Sequence, residues 1–167
     1  MNGKQIHYWD ACIFIAWFTN DTNNSRTNNE MAGIKELVAL IDNEQAILLT
    51  SSITRIEVLD CKLSNKTKED FTKLFFRKNF QEKSVNKHVA SLAHDIRNFF
   101  QTEREKGNKN AKKIKTPDAI HLATAILYKA EIFYTFDDDL IRFNGDVAGH
   151  NLTINKPQKE PFILISD

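Results

Sequence analysis

The stretch KQIHYWDACIFIAWF, residues 4–18, sets the fold. Its opening, KQIHYW (4–9), is apolar and aromatic-rich and suits a short strand. Residues 11–18 carry Ala, Ile and Phe at close spacing and read as a buried helix. Between them stands one acid, Asp10. A strand that turns directly into a helix is the start of an alternating α/β chain.

The alternation repeats along the chain. Residues 19–29 are rich in Asn and Thr and read as a loop. From 31 to 43, Ile34, Leu37, Val38 and Ile41 recur at helical spacing. AILLT (46–50) is a continuous apolar run, as expected of a strand buried on both faces. Ser51 and Ser52 open a helix running to about Cys61. Helical periodicity continues over 67–80 and 85–106, through Phe71, Leu74 and Phe75, then Val89, Ala93, Ile96 and Phe100. The Lys-rich GNKNAKKIK (107–115) breaks the chain. Thr116-Pro117 then reads as a helix start, with Thr as N-cap and Pro at the first helical position. EIFYTF (131–136) is another buried strand, DDDLIRF begins a short helix, and FILIS (162–166) suits a last strand. The expected fold is α/β: one domain over 1–167, with a mostly parallel central sheet flanked by helices. Right-handed crossovers bring the strand-to-helix junctions to one sheet edge, where open α/β sheets bind ligands.

Carboxylates occupy those junctions. Asp10 ends the first strand, Glu57 follows the second, Asp118 lies in the first turn after Thr116-Pro117, and Asp137, Asp138 and Asp139 follow EIFYTF. Each has a local structural reading. Asp118 complements a helix dipole. Glu57 follows Thr54 at capping-box spacing. Asp137 suits an N-cap. Asp10 has no evident partner nearby in sequence. Converging like charges repel and raise one another's pKa, a cost that a divalent cation removes. Mg²⁺ and Mn²⁺ are the hard cations that take carboxylate and water oxygens. The spacing therefore suggests a carboxylate metal site.

Other chemistries find less support. The sequence has no HExxH, GxGxxG, GxxxxGK[ST] or GxSxG. His121 follows Asp118 by three residues and reads as a partly buried helix residue. Cys12 has no His beside it in sequence to make a nucleophile pair. With two cysteines and a longest apolar run of eight residues (11–18), the chain offers no disulfide framework and no membrane span, which needs about 20. A cytoplasmic protein is expected.

Four segments, in this order, carry a family resemblance: HYWDACIFIAWF (7–18), TSSITRIEVLD (50–60), TPDAIHLATAI (116–126) and YTFDDDL (134–140). They resemble the four motifs of PIN-domain ribonucleases, especially the VapC-like toxins of prokaryotic toxin–antitoxin pairs, over about residues 5–143. The resemblance implies a parallel sheet wrapped by helices and an acidic pocket binding Mg²⁺ or Mn²⁺ that hydrolyses RNA phosphodiesters. Asp10, Glu57, Asp118 and Asp137 match the family acids one by one, with Asp139 able to replace or assist Asp137. Thr135 matches the hydroxyl residue that often precedes the last acid, and Thr54 is a second supporting candidate. Cys12 stands where the family commonly has Asn or Ser. An antitoxin protein and a homodimer are the implied partners; Phe71, Phe75, Phe76, Phe80, Phe99 and Phe100 exceed what one core obviously needs and read either as core packing or as a partner face.

The alternative is a non-catalytic binding module on the same scaffold, its acids serving as caps. A haloacid-dehalogenase phosphatase wants a second Asp where Cys12 stands, and a receiver domain wants a Lys after the late strand, where this chain has acids.

The charge balance, 23 Lys+Arg against 22 Asp+Glu, conceals a division. Residues 62–115 carry 15 basic and 6 acidic residues, a net +9; the rest carry 8 and 16, a net −8. Lys112, Lys113 and Lys115 lead straight to Asp118. They are expected to form a basic track for an RNA backbone beside the acidic pocket.

Overall fold

The computed structural model describes residues 4–20, 25–108 and 111–159. Five strands form its sheet: β1 (Gln5–Trp9), β2 (Ala46–Ser51), β3 (Phe80–Lys83), β4 (Ile132–Tyr134) and β5 (Thr153–Asn155), in the order β3-β2-β1-β4-β5. All four pairings are parallel. Seven helices accompany them: α1 (Ala11–Thr19), α2 (Asn28–Asp42), α3 (Ile53–Leu59), α4 (Asn65–Lys73), α5 (Lys87–Glu105), α6 (Thr116–Leu127) and α7 (Asp138–Ile141).

Side-chain alternation along the strands builds a core on each face. Tyr8, Leu49 and Phe133 point to one side, where they pack with Val89 and Ile96 of α5 and Leu122 of α6. Trp9 and Leu48 point to the other, against Phe14 of α1, Ile34 and Leu37 of α2, and Phe71 of α4. Both faces are covered, which is why these strands read as continuous apolar runs.

The expected α/β architecture holds, and its sheet is wholly parallel among the described residues. Several elements differ from the sequence reading. The helix expected over 67–80 is α4, a 3-10 turn at Leu74–Phe76 and then strand β3. Arg77 turns to an extended conformation, and buried Asn79 donates from its amide to the Ile41 and Ala46 carbonyls at 2.6 and 3.2 Å. Those bonds hold the chain against β2, so β3 is captured by tertiary partners rather than by its own pattern. Strand β5 also escaped the reading: it is three residues long, and only Ile154 in it is buried. FILIS lies outside the described residues.

Two expected caps are replaced. Lys115, not Thr116, is the N-cap of α6, without a side-chain bond, and Pro117 is the second helical residue. Ser52 precedes α3, also without a side-chain cap, and Thr54 is buried within that helix, bonded to the Thr50 hydroxyl at 2.7 Å. No capping box therefore holds Glu57. A capping box forms instead at Thr27 and Glu30, at the start of α2.

The chain runs from β1 outward to β2 and β3, then returns to the other side of β1 with β4 and β5. The strand order reverses between β1 and β4. That crevice at the carboxyl edge is the switch point where such sheets bind ligands.

Candidate active site

Asp10 follows β1 at that crevice. Its backbone N–H donates to the Tyr134 carbonyl at 3.1 Å, so the chain stays tied to β4 one residue past the strand. Asp10 Oδ1 accepts the Ala11 N–H at 2.7 Å and caps α1, the local partner its sequence did not reveal. Oδ2 accepts from the Thr135 hydroxyl at 2.7 Å, and Thr135 in turn accepts the Asp137 N–H at 3.0 Å. One threonine thus joins the acid after β1 to the acid after β4. Thr54 supports at longer range: it bonds Thr50, which donates to the Trp9 carbonyl at 3.0 Å.

Cys12 also belongs to this wall. Its Sγ lies 3.4 Å from Asp10 Oδ2 and accepts the Phe136 N–H at 3.3 Å. Burial, then the Asp10 charge, pushes the thiol pKa well up. Cys12 is therefore a neutral donor to Asp10 and not a thiolate nucleophile.

Glu57 of α3 reaches the same crevice. It meets His121 of α6, whose Nε2 is 2.7 Å from Glu57 Oε2 and 3.6 Å from Asp10 Oδ1. The other ring nitrogen, Nδ1, is 2.6 Å from the Tyr8 hydroxyl. Burial, then the Asp10 charge, raises the Tyr8 phenol well above its usual range, so it keeps its proton. In the neutral ring, Tyr8 donates to Nδ1 and Nε2–H donates to Glu57. Burial lowers the His121 pKa, but the Glu57 hydrogen bond and the charges of Asp10, Glu57 and Asp118 outweigh it and raise it overall. His121 is the site residue that sequence reading passed over. Its signal was present: one turn after Asp118, it shares that acid's helix face.

Asp118 lies in the first turn of α6, and Asp137 caps α7 by accepting the Asp139 N–H at 2.8 Å. The Asp118 pKa is raised by burial first, then by the charges of Asp10 and Asp137; Lys115 and His121 relieve it only in part. Burial and neighbouring carboxylates both disfavour the charged form of this acid. Asp118 and Asp137 also wall a cavity of about 30 Å³, room for one water, together with Lys112, Lys113 and Lys115. Asp139 lines the same cavity but is exposed and paired with Lys112 and with Arg142, the latter at 3.0 Å.

Among the described residues, Asp10, Glu57 and His121 offer ligand atoms within 4.8 Å of one another. With His121 Nε2–H given to Glu57, the ligand atoms free for a cation are carboxylate oxygens, and Asp118 is near enough for the charges of Asp10 and Asp137 to raise its pKa. This donor set fits a hard divalent cation.

The sequence matches the family model for the PIN domain over residues 8–146. The chain belongs to the PIN domain family. Solved structures with this PIN fold include VapBC2 from Rickettsia felis bound to a DNA fragment from its promoter. That match has 14% identity, covers 90% of this chain and 98% of the other, and has a TM-score of 0.58. A toxin–antitoxin complex from Klebsiella pneumoniae is similar at 21% identity, 92% and 99% coverage and a TM-score of 0.56. VapC20 from Mycobacterium tuberculosis, a sarcin-ricin loop cleaving toxin, is similar at 12% identity, 81% and 93% coverage and a TM-score of 0.54. At these identities the likeness is one of fold. No match was found among curated proteins.

The basic residues beside this PIN-domain site divide. Lys115 and Lys113 are exposed next to Asp118, whereas Lys112 is held by Asp139. No described helix is long and apolar enough to cross a membrane. Of the phenylalanines with surplus apolar surface, Phe71, Phe80 and Phe100 are core residues; Phe76 is 85% and Phe99 44% exposed.

Proposed function

We propose that this PIN domain is a Mg²⁺- or Mn²⁺-dependent endoribonuclease and the toxin of a toxin–antitoxin pair. One observation supports the reading: Asp10 and Glu57, from separate segments, lie together with His121 at the β1/β4 crevice, Thr135 links Asp10 to the Asp137 backbone, and the charges of Asp10 and Asp137 reach Asp118. Burial, then the charges of Asp10 and Asp137, raise the Asp118 pKa, and a bound cation would offset that repulsion.

Asp10 and Glu57, with Asp118 and Asp137 beside them, would hold the cation. When bound, it supplies Lewis acidity toward a phosphate ester and an attacking water. The chain's own residues set the geometry. Thr135 fixes one Asp10 oxygen and the Asp137 backbone, Cys12 adds a weak bond to the same oxygen, and His121 fixes one Glu57 oxygen. Lys113 and Lys115 are the cations available to the RNA backbone, with Lys112 freed only if Asp139 lets it go.

The fold neighbours support the biological setting. Several are toxin–antitoxin complexes, and one is a sarcin-ricin loop cleaving toxin. An antitoxin covering the crevice and a homodimer are the partners we assign, with exposed Phe76 and Phe99 as contact candidates.

The test is incubation of the purified chain with mixed RNA, with Mn²⁺ and with chelator. Cleavage should require the metal and vanish in Asp118→Asn while the fold persists. Cleavage retained by that variant would remove Asp118 from the site. A chain that binds Mn²⁺ without cutting RNA favours a non-catalytic module.

A further inference from the structure

Helix α5 carries a second polar stripe. Val89, Ala93, Ile96 and Phe100 face the core, while His94, Arg97, Gln101 and Arg104 repeat at helical spacing on exposed surface. Residues 111–115 lie back along it, anchored by Ala111 and Ile114, both buried in the same core cluster. Arg97 Nε donates to the Ile114 carbonyl at 3.4 Å and helps hold the segment there. A cleft of about 190 Å³ opens between the two, lined by His94, Arg97, Gln101, Arg104 and Lys113.

Charge in this cleft is unbalanced. None of Arg97, Arg104 and Lys113 enters an ion pair among the described residues, while neighbouring Lys106 and Lys112 are held by Glu103 and Asp139. Glu105 lies beside Arg104 and Lys113 and accepts from the Gln101 amide at 2.9 Å, and Asp118, Asp137 and Asp139 share the adjoining cavity with Lys113. The cleft also adjoins the acidic site. Lys113 and Ile114 line it on one side and wall the Asp118–Asp137 cavity on the other.

We infer that this α5 cleft is a phosphate-backbone subsite that holds single-stranded RNA leading away from the acidic pocket, through Arg97, Arg104 and Lys113. The inference rests on the nuclease reading above. Arg97 and Arg104 are seven residues apart, about 10 Å along the helix, so the positive charge forms a line and suits an extended polyanion. The cleft is polar and open and lacks the apolar enclosure that a small-molecule site uses. Guanidinium groups suit phosphate oxygens geometrically, and contacts to phosphate carry no sequence information. The subsite therefore contributes affinity and register, while other contacts choose the sequence.

Fluorescence anisotropy tests this on the full chain, with chelator present to prevent cleavage. The probe is a labelled single-stranded RNA, titrated across a salt series. Arg97→Gln with Arg104→Gln should weaken binding and lower the slope of log K against log salt by about 1.4, since each single-strand phosphate contact is worth about 0.7. Arg104→Gln with Lys113→Gln should do the same and leaves the Arg97–Ile114 bond intact. Mn²⁺ affinity, read by calorimetry, should stay unchanged in the Arg97→Gln, Arg104→Gln variant. An unaltered slope in both double variants, with a parent chain that cuts RNA, overturns the subsite and leaves the nuclease reading standing. A parent chain that neither binds nor cuts RNA overturns both. Polyglutamate displacing the RNA and showing the same Arg dependence would overturn the subsite in favour of an acidic protein partner.

Discussion

Exchanging His121 for Asn removes the Nε2–H that Glu57 accepts at 2.7 Å. Residues that orient metal ligands through hydrogen bonds are typically worth 10–100-fold in affinity. If Glu57 holds the cation, His121→Asn should weaken Mn²⁺ binding by about that range, measured by calorimetry; unchanged affinity would leave His121 a packing residue. Tyr8→Phe acts one bond further out. It leaves Nδ1 buried without its 2.6 Å partner, at a cost to stability of about 1–3 kcal/mol, read from the urea midpoint. Asp118 makes a pH prediction. Burial and the charges of Asp10 and Asp137 raise its folded pKa, so folding favours its protonated form. Its contribution is fully present below the unfolded pKa of about 3.9 and is lost as pH rises through the folded value. Without metal, the parent chain should therefore lose stability over that acid window relative to Asp118→Asn, and thermal melts from acid to neutral pH will show whether the two curves diverge. At this scale the four acids were legible, because carboxylates at strand-to-helix junctions are visible in a linear pattern. His121 was not, because its partners Tyr8 and Glu57 are 113 and 64 residues away.

Among the elements, α2 and the segment after β5 meet at a glycine. A Cβ on Gly33 would lie 2.3 Å from the Gln158 backbone nitrogen, closer than any side chain tolerates. Backbone cannot swing aside as a side-chain end can. Gly33→Ala should cost about 1–3 kcal/mol, measured by denaturant unfolding. The edge strand β3 is tied differently. Arg55 of α3 pairs with Glu82 of β3, with Nη2 to Oε2 at 2.9 Å, and its guanidinium stacks 3.6 Å from the centre of the Phe75 ring. That clamp connects the helix bearing Glu57 to the sheet edge. These contacts explain why β3 was read as helix: Phe71, Leu74 and Phe75 do carry helical spacing, and they end in a helix and a 3-10 turn. Residues 80–83 form a strand instead because Asn79 and Glu82 find partners on β2, α2 and α3, none of which the local pattern encodes.

For the whole molecule, binding to the folded state alone is stabilising. At free Mn²⁺ about 100 times its dissociation constant, the linkage amounts to about 2.7 kcal/mol. Addition of Mn²⁺ should raise the melting temperature, chelator should reverse it, and Asp10→Asn should abolish the response; an equal rise in that variant would place the cation elsewhere. The near-zero net charge also takes its meaning at this scale. The basic share at 62–115 forms α4, β3, α5 and the 111–115 segment, and the acidic share holds the crevice. The α/β class, the family motifs and the acids at the junctions were all present in the linear chain. They rest on local hydrophobic period and on single residues at turns, which need no distant partner to be read. Three-dimensional packing was needed to set β1 beside β4, to bridge Asp10 to Asp137 through Thr135, to turn Asp139 to Lys112 and Arg142, and to bring His121 into the site. Each of these depends on contacts between residues far apart in the chain, and they exist only once parallel pairing has brought the strand ends together.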